Sequence, residues 1–98
     1  MENELEDIIK YRVAITLNIL LEKNKLLKGK GKPPSSYNQI ALDAHVRKAT
    51  VSNTFNAKTA PNVTTLIMII EAMQYGLKDF SEIYNSISDN DLKKYRKK

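Results

Sequence analysis

The side chains in this chain that can do chemistry gather in one stretch. Arg47, Lys48, Ala49, Thr50, Ser52, Asn53, Asn56 and Lys58 follow one another closely, with Tyr37 and Asn38 shortly before them. Cationic, amide and hydroxyl groups of these types hydrogen-bond to base edges and phosphate oxygens, and a small alanine admits close approach to a thymine methyl. Their chemistry is binding rather than bond-breaking. Elsewhere the material is thin. The single histidine, His45, has no acid or thiol at metal-ligand spacing and reads as a turn residue rather than a ligand or base. The pairs Glu4/Glu6 and Asp89/Asp91 sit in polar terminal segments, as solvated charges. Gly29 and Gly31 lack the preceding strand and the GK[ST] ending of a phosphate loop. No enzyme is expected, and neither a metal nor a cofactor is implied.

Two short helices would position the polar groups. Ser36 can cap the first of them, with Gln39 three residues on completing a capping box. Ile40 and Ala44 then face inward, and Ala41 is small where a second helix crosses close by. Val46 plugs the turn, Val51 anchors the second helix, and Phe55 follows one turn later. Arg47, Lys48, Ala49, Ser52 and Asn53 remain on its outer or leading face. Two helices around a tight turn, with a polar leading end on the second, are the layout of a helix-turn-helix.

At these residues the chain resembles the phage-repressor-like (Xre-type) helix-turn-helix regulators. The resemblance spans about Arg12 to Ile83 and is sharpest from Ser36 to Lys58, followed by Ala60-Pro61-Asn62-Val63-Thr64-Thr65-Leu66-Ile67. It implies an all-α, compact five-helix lambda-repressor-like domain that binds double-stranded DNA at an operator. By position in that motif, Lys48, Ala49 and Asn53 approach bases. Tyr37 and Asn38 begin the preceding helix, where side chains and backbone N–H groups meet phosphate. Asn56 and Lys58 hold the backbone on the other side, and Arg47 and Thr50 suit either role. The chain departs from the family pattern at three positions: His45 and Ala57 stand where glycine is usual, and Tyr37 where a polar residue often begins the helix. His45 tolerates positive φ better than most residues, whereas at Ala57 the cap is expected to shift to Asn56.

Length and charge agree with one small domain. The chain has 98 residues, no cysteine and a net charge of +5. From Lys23 to Lys58 there are eight Lys or Arg against Asp43 alone, so this stretch carries +7 and the remainder −2. Positive charge thus collects on the motif and the loop before it, as phosphate binding requires. No apolar run is long enough to span a membrane. The acidic start, Met1 to Asp7, lacks the regions of a signal peptide, and a cytoplasmic location is expected.

Five helices are expected. The first runs from about Leu5 to Leu27, and a flexible basic loop, Lys28 to Ser35, follows it. The motif helices take Tyr37–Ala44 and Lys48–Asn56. The fourth spans Val63 to Tyr75 with Gly76 as its C-cap, and Asp79 caps a fifth through Ser86. Residues 1–86 make the domain, with the motif at about 36–58. Residues 87–98 form a basic tail, which admits a last helical turn or two.

The first helix is apolar on two sides. Ile9, Val13, Leu17, Leu20 and Leu27 lie on one stripe at about 100° per residue, expected to be the core face. Ile8, Ile15, Ile19 and Leu26 lie nearly opposite. The second side calls for the C-terminal segment with Ile83, Tyr84 and Ile87, or for a second subunit, and a homodimer is expected. On the fourth helix Leu66, Ile69, Ile70 and Met73 point inward, with Met68, Ala72 and Tyr75 on another face. The competing reading is an antitoxin-like or other interaction module that uses the same helical fold toward a protein partner.

Overall fold

A computed structural model describes residues 4–27, 31 and 33–96. These form six α-helices and no strand among the described residues: α1 (Glu4–Leu26), α2 (Tyr37–Ala44), α3 (Lys48–Phe55), α4 (Val63–Ala72), α5 (Leu77–Ser86) and α6 (Asp89–Arg96). The fold is all-helical, with one helix more than expected. The extra helix is α6, in the segment read as a basic tail. Leu92 on α6 and Ile87 just before it are both buried. Half of the basic loop, residues 28–30 and 32, lies outside the described residues.

α1 is the spine. Val13, Ala14, Leu17, Leu20 and Leu21 are buried on it and meet Ile40, Ala41 and Ala44 of α2, Val51 and Phe55 of α3, Ile69 and Ile70 of α4, Met73, and Phe80 of α5 in one core. The expected core stripe is therefore correct only in its middle. Ile9 and Leu27 are 42% and 49% exposed, because the shorter helices do not reach the ends of α1. Ala14 and Leu21 take their place. On α4, Ile69 and Ile70 are fully buried, and Leu66, Met68 and Ala72 pack partly against the core, as does Tyr75 just past its end. Both apolar faces of α4 are thus used within the chain.

Helix starts follow local hydrogen bonding. The Ser36 hydroxyl accepts from the Gln39 N–H at 3.2 Å, but Gln39 Oε1 accepts from the Ser35 N–H at 3.1 Å and not from Ser36, so only half of the expected capping box forms. Asn62 Oδ1 accepts from the Thr65 N–H at 2.8 Å. α3 has no such cap: Arg47 precedes it in extended conformation without a side-chain bond. The ends of α2, α3 and α4 share one geometry. The N–H groups of Val46, Lys58 and Tyr75 reach back five residues to the carbonyls of Ala41, Asn53 and Ile70. The residues in between, His45, Ala57 and Gln74, are left-handed, with φ of 58°, 59° and 69°. This closure satisfies carbonyls that a helix end leaves open.

Three expectations about these ends are corrected here. Asn56 does not take over the left-handed cap: its φ is −104°, and Ala57 accepts the conformation despite its Cβ. α4 stops at Ala72, and Gln74, not Gly76, closes it, because the next residue, Tyr75, packs its ring on the core. Gly76 instead precedes α5, its N–H donating to Asp79 Oδ2 at 2.8 Å, so Asp79 lies within the first turn of α5 rather than ahead of it. No helix among the described residues is long and apolar enough to cross a membrane.

Candidate functional site

α2 and α3 are joined by three residues, His45, Val46 and Arg47. Their packing is what lets α3 offer a polar face. Val51, Thr54 and Phe55 are buried on its inner side. Ala49, Ser52, Asn53 and Asn56 follow at helical spacing on the other side: Ala49 and Asn56 are exposed, Ser52 and Asn53 half-buried. Arg47 and Lys48 are exposed at the start of α3. No acid lies in its first turn and no side chain caps it, so the positive end of the helix dipole is left open. Val46, expected as a buried plug, is partly buried against the core.

The ten residues singled out by their types are not equivalent here. Asn38, Arg47, Lys48, Ala49, Asn56 and Lys58 are exposed. Thr50 is half-buried, and its carbonyl accepts from the Thr54 hydroxyl at 2.8 Å. Tyr37 has its ring against Phe55, centroids 5.1 Å apart, so much of this side chain serves the core. Asn56 turns its amide back along α3, Nδ2 donating to the Ser52 carbonyl at 2.8 Å. Asn56 is exposed and keeps its oxygen for a partner.

Three residues absent from the sequence reading of the site stand behind it. Asn18 of α1 donates from Nδ2 to the Phe55 carbonyl at 2.9 Å, and the Tyr95 hydroxyl of α6 reaches the same oxygen at 3.5 Å. Both therefore hold the last carbonyl of α3. Tyr11 stacks at a tilt on Tyr95, centroids 5.6 Å apart. Burial raises the Tyr95 hydroxyl above its ordinary pKa, with smaller contributions from Tyr37 and Tyr11, so it stays protonated and able to donate. Asn18 has a signal in the sequence, a lone amide amid the apolar run of α1. Tyr95 has none, since its role depends on where α6 docks.

Among the described residues no group of His, Cys, Asp and Glu side chains is placed to hold a metal ion. His45 is exposed at the end of α2, in the turn that its backbone makes. Comparisons with protein-family models, with curated proteins and with solved structures find no match to this chain.

Proposed function

We propose that this protein binds double-stranded DNA sequence-specifically, as a helix-turn-helix regulator of the phage-repressor-like (Xre-type) kind acting at an operator. α2 and α3 are the motif and α3 is the reading helix. One observation carries the proposal. The side of α3 turned away from the core presents Ala49, Ser52, Asn53 and Asn56 together, and its leading end is uncapped and flanked by exposed Arg47 and Lys48. A short helix with a polar, small-residue outer face and a cationic leading end fits the major groove, and its N-terminal residues meet base edges. Lys48, Ala49 and Asn53 read bases in this proposal, joined by Ser52. Arg47, Asn38, Asn56 and Lys58 hold phosphates. Tyr37 contributes its position more than its ring. The work is binding, with no catalytic step.

A gel shift against genomic fragments at two salt concentrations tests this. The expected result is a shift that selects fragments and weakens at the higher salt, because each phosphate contact releases counterions. No shift at low salt overturns it. The apolar outer face of α1 supports a second reading, a helical module that engages a protein, and that reading predicts no shift.

A further inference from the structure

The last turn of α3 is tied to the rest of the molecule at one residue. A helix leaves its last four carbonyls without partners in its own ladder, and on α3 these belong to Ser52, Asn53, Thr54 and Phe55. The first three are met locally: the Asn56 N–H donates to Ser52 at 3.0 Å, the Lys58 N–H to Asn53 at 2.9 Å and the Ala57 N–H to Thr54 at 3.3 Å. The Phe55 carbonyl is different. Its donors come from other helices, Asn18 Nδ2 of α1 at 2.9 Å and the Tyr95 hydroxyl of α6 at 3.5 Å. Asn18 is itself fixed to α1, because the same Nδ2 also donates to the Ala14 carbonyl at 2.8 Å. Tyr95 is fixed through its ring, 5.6 Å from that of Tyr11, and through the burial of Leu92 on the same helix. The Phe55 ring is buried as well, 5.1 Å from that of Tyr37 at the start of α2. Four helices therefore meet at Phe55.

We infer that Asn18 and Tyr95 are positioning residues for base reading, and that α6, through Tyr95, sets the discrimination of the proposed DNA face. The inference rests on α3 being the reading helix. α3 has eight residues, with Lys48 and Ala49 at its leading end and Phe55 at the other. At about 1.5 Å per residue it is about 12 Å long, so a tilt of about 5° about Phe55 moves the leading end by about 1 Å. A displacement of that size takes a hydrogen bond to a base edge out of range. A lysine on a phosphate tolerates it, because its four-carbon stem is flexible and its charge acts as a point. Loosening the anchor therefore reduces discrimination between sequences before it reduces affinity for DNA as such. Neither residue touches the DNA in this arrangement; both act through the carbonyl of Phe55.

Equilibrium binding of the full chain to two duplexes tests it: the site that the wild type selects from a randomised library, and a scrambled sequence of the same composition. Tyr95→Phe keeps the ring on Tyr11 and removes only the hydroxyl, while Asn18→Leu keeps the size of the side chain and removes the donor. Both variants are expected to bind the scrambled duplex within about twofold of the wild type, since the phosphate contacts remain. Preference for the selected site should fall about threefold in Tyr95→Phe, whose bond is the longer, and about tenfold in Asn18→Leu. Residual dipolar couplings of the free proteins should show α3 turned against α1 in the variants, a readout that needs no DNA. Should Asn18→Leu fail to fold, Tyr95→Phe alone decides. Variants that keep the full preference overturn the inference and leave the DNA reading standing. An equal loss on both duplexes also overturns it, because the two residues would then only support the fold, and so does a lost preference with α3 unmoved. A wild type that binds both duplexes alike removes the DNA reading itself, and this inference with it.

Discussion

His45, Ala57 and Gln74 each take the left-handed backbone conformation that glycine takes most easily. A Cβ in that conformation costs about 1–2 kcal/mol, and the alanine has no polar side chain to offset it. Glycine removes the clash but leaves a more mobile unfolded chain, a penalty of roughly 0.5–1 kcal/mol. Ala57→Gly is therefore expected to stabilise the protein by about 0.5–1 kcal/mol, raising the melting temperature by a few degrees, with a smaller gain for His45→Gly. Thermal melts of the two variants check this, and a fall for Ala57→Gly would contradict the strain argument. The proposed DNA face divides at the same scale. Asn53→Ala should relax preference at particular operator positions, by roughly 1–3 kcal/mol of discrimination. Lys58→Ala should weaken all sequences alike and flatten the salt slope by about one unit. Binding titrations on an operator and its single-base variants separate the two, and a uniform loss in both would mean that the reading face lies elsewhere.

α6 shows how a short charged segment becomes a helix. Its start is a reciprocal pair: the Ser88 N–H and hydroxyl both donate to Asp91 Oδ2 at 3.0 Å, and the Asp91 N–H donates to the Ser88 oxygen at 3.2 Å. The bond from the Ser88 backbone, and then that from its hydroxyl, holds the Asp91 carboxyl below its ordinary pKa. A carboxylate with a lowered pKa stabilises the folded form above its unfolded value, and that contribution disappears as pH falls through the folded one. α6 amides are therefore expected to be protected from hydrogen exchange at neutral pH and to lose protection in acid, ahead of the α1 amides around Leu17. Asp91→Asn should fray α6 at every pH and abolish this acid dependence. Exchange measured by NMR at several pH values decides it, and α6 protection that is flat into acid would refute the capping role.

Across the whole molecule, Asn24 joins segments far apart in the chain. It is fully buried, and its Nδ2 donates to the carbonyl of Pro34 at 2.9 Å and to that of Met73 at 3.1 Å. The end of α1, the approach to α2 and the end of α4 therefore meet at one amide. Asn24→Ala leaves both carbonyls without this donor in a buried setting, at about 1–3 kcal/mol each, so a loss of about 2–6 kcal/mol is expected. Lys25→Ala, one residue on, removes only an exposed pair with Glu22 at 3.4 Å and should change stability by less than about 0.5 kcal/mol. Urea denaturation of the two variants gives the comparison. Equal effects would show that Asn24 does not latch the fold.

The α2 and α3 region was legible because its signals are local. Ser36 with Gln39, Ala41 at the crossing and Val51 with Phe55 act within a turn or two, and the helices lie at Tyr37–Ala44 and Lys48–Phe55 as their spacing indicates. The all-helical class was legible for the same reason, through the period of the apolar residues on α1 and α4. Three features depended on tertiary packing. Residues 89–96 start on the local Ser88–Asp91 pair, but their docking rests on the burial of Leu92 and on Tyr95 lying against Tyr11 of α1, contacts their charged neighbours do not foreshadow. Gln74 rather than Gly76 ends α4, because the ring of Tyr75 has to reach the core and fixes the turn before it. The two apolar sides of α1 carried no mark of which would be buried along its full length. The core claims Val13 to Leu21, and the shorter helices run out before Ile9 and Leu27, so burial at those positions depends on where neighbouring elements end. Periodicity reports the direction in which a side chain points. Whether anything lies in that direction is a property of the assembled fold.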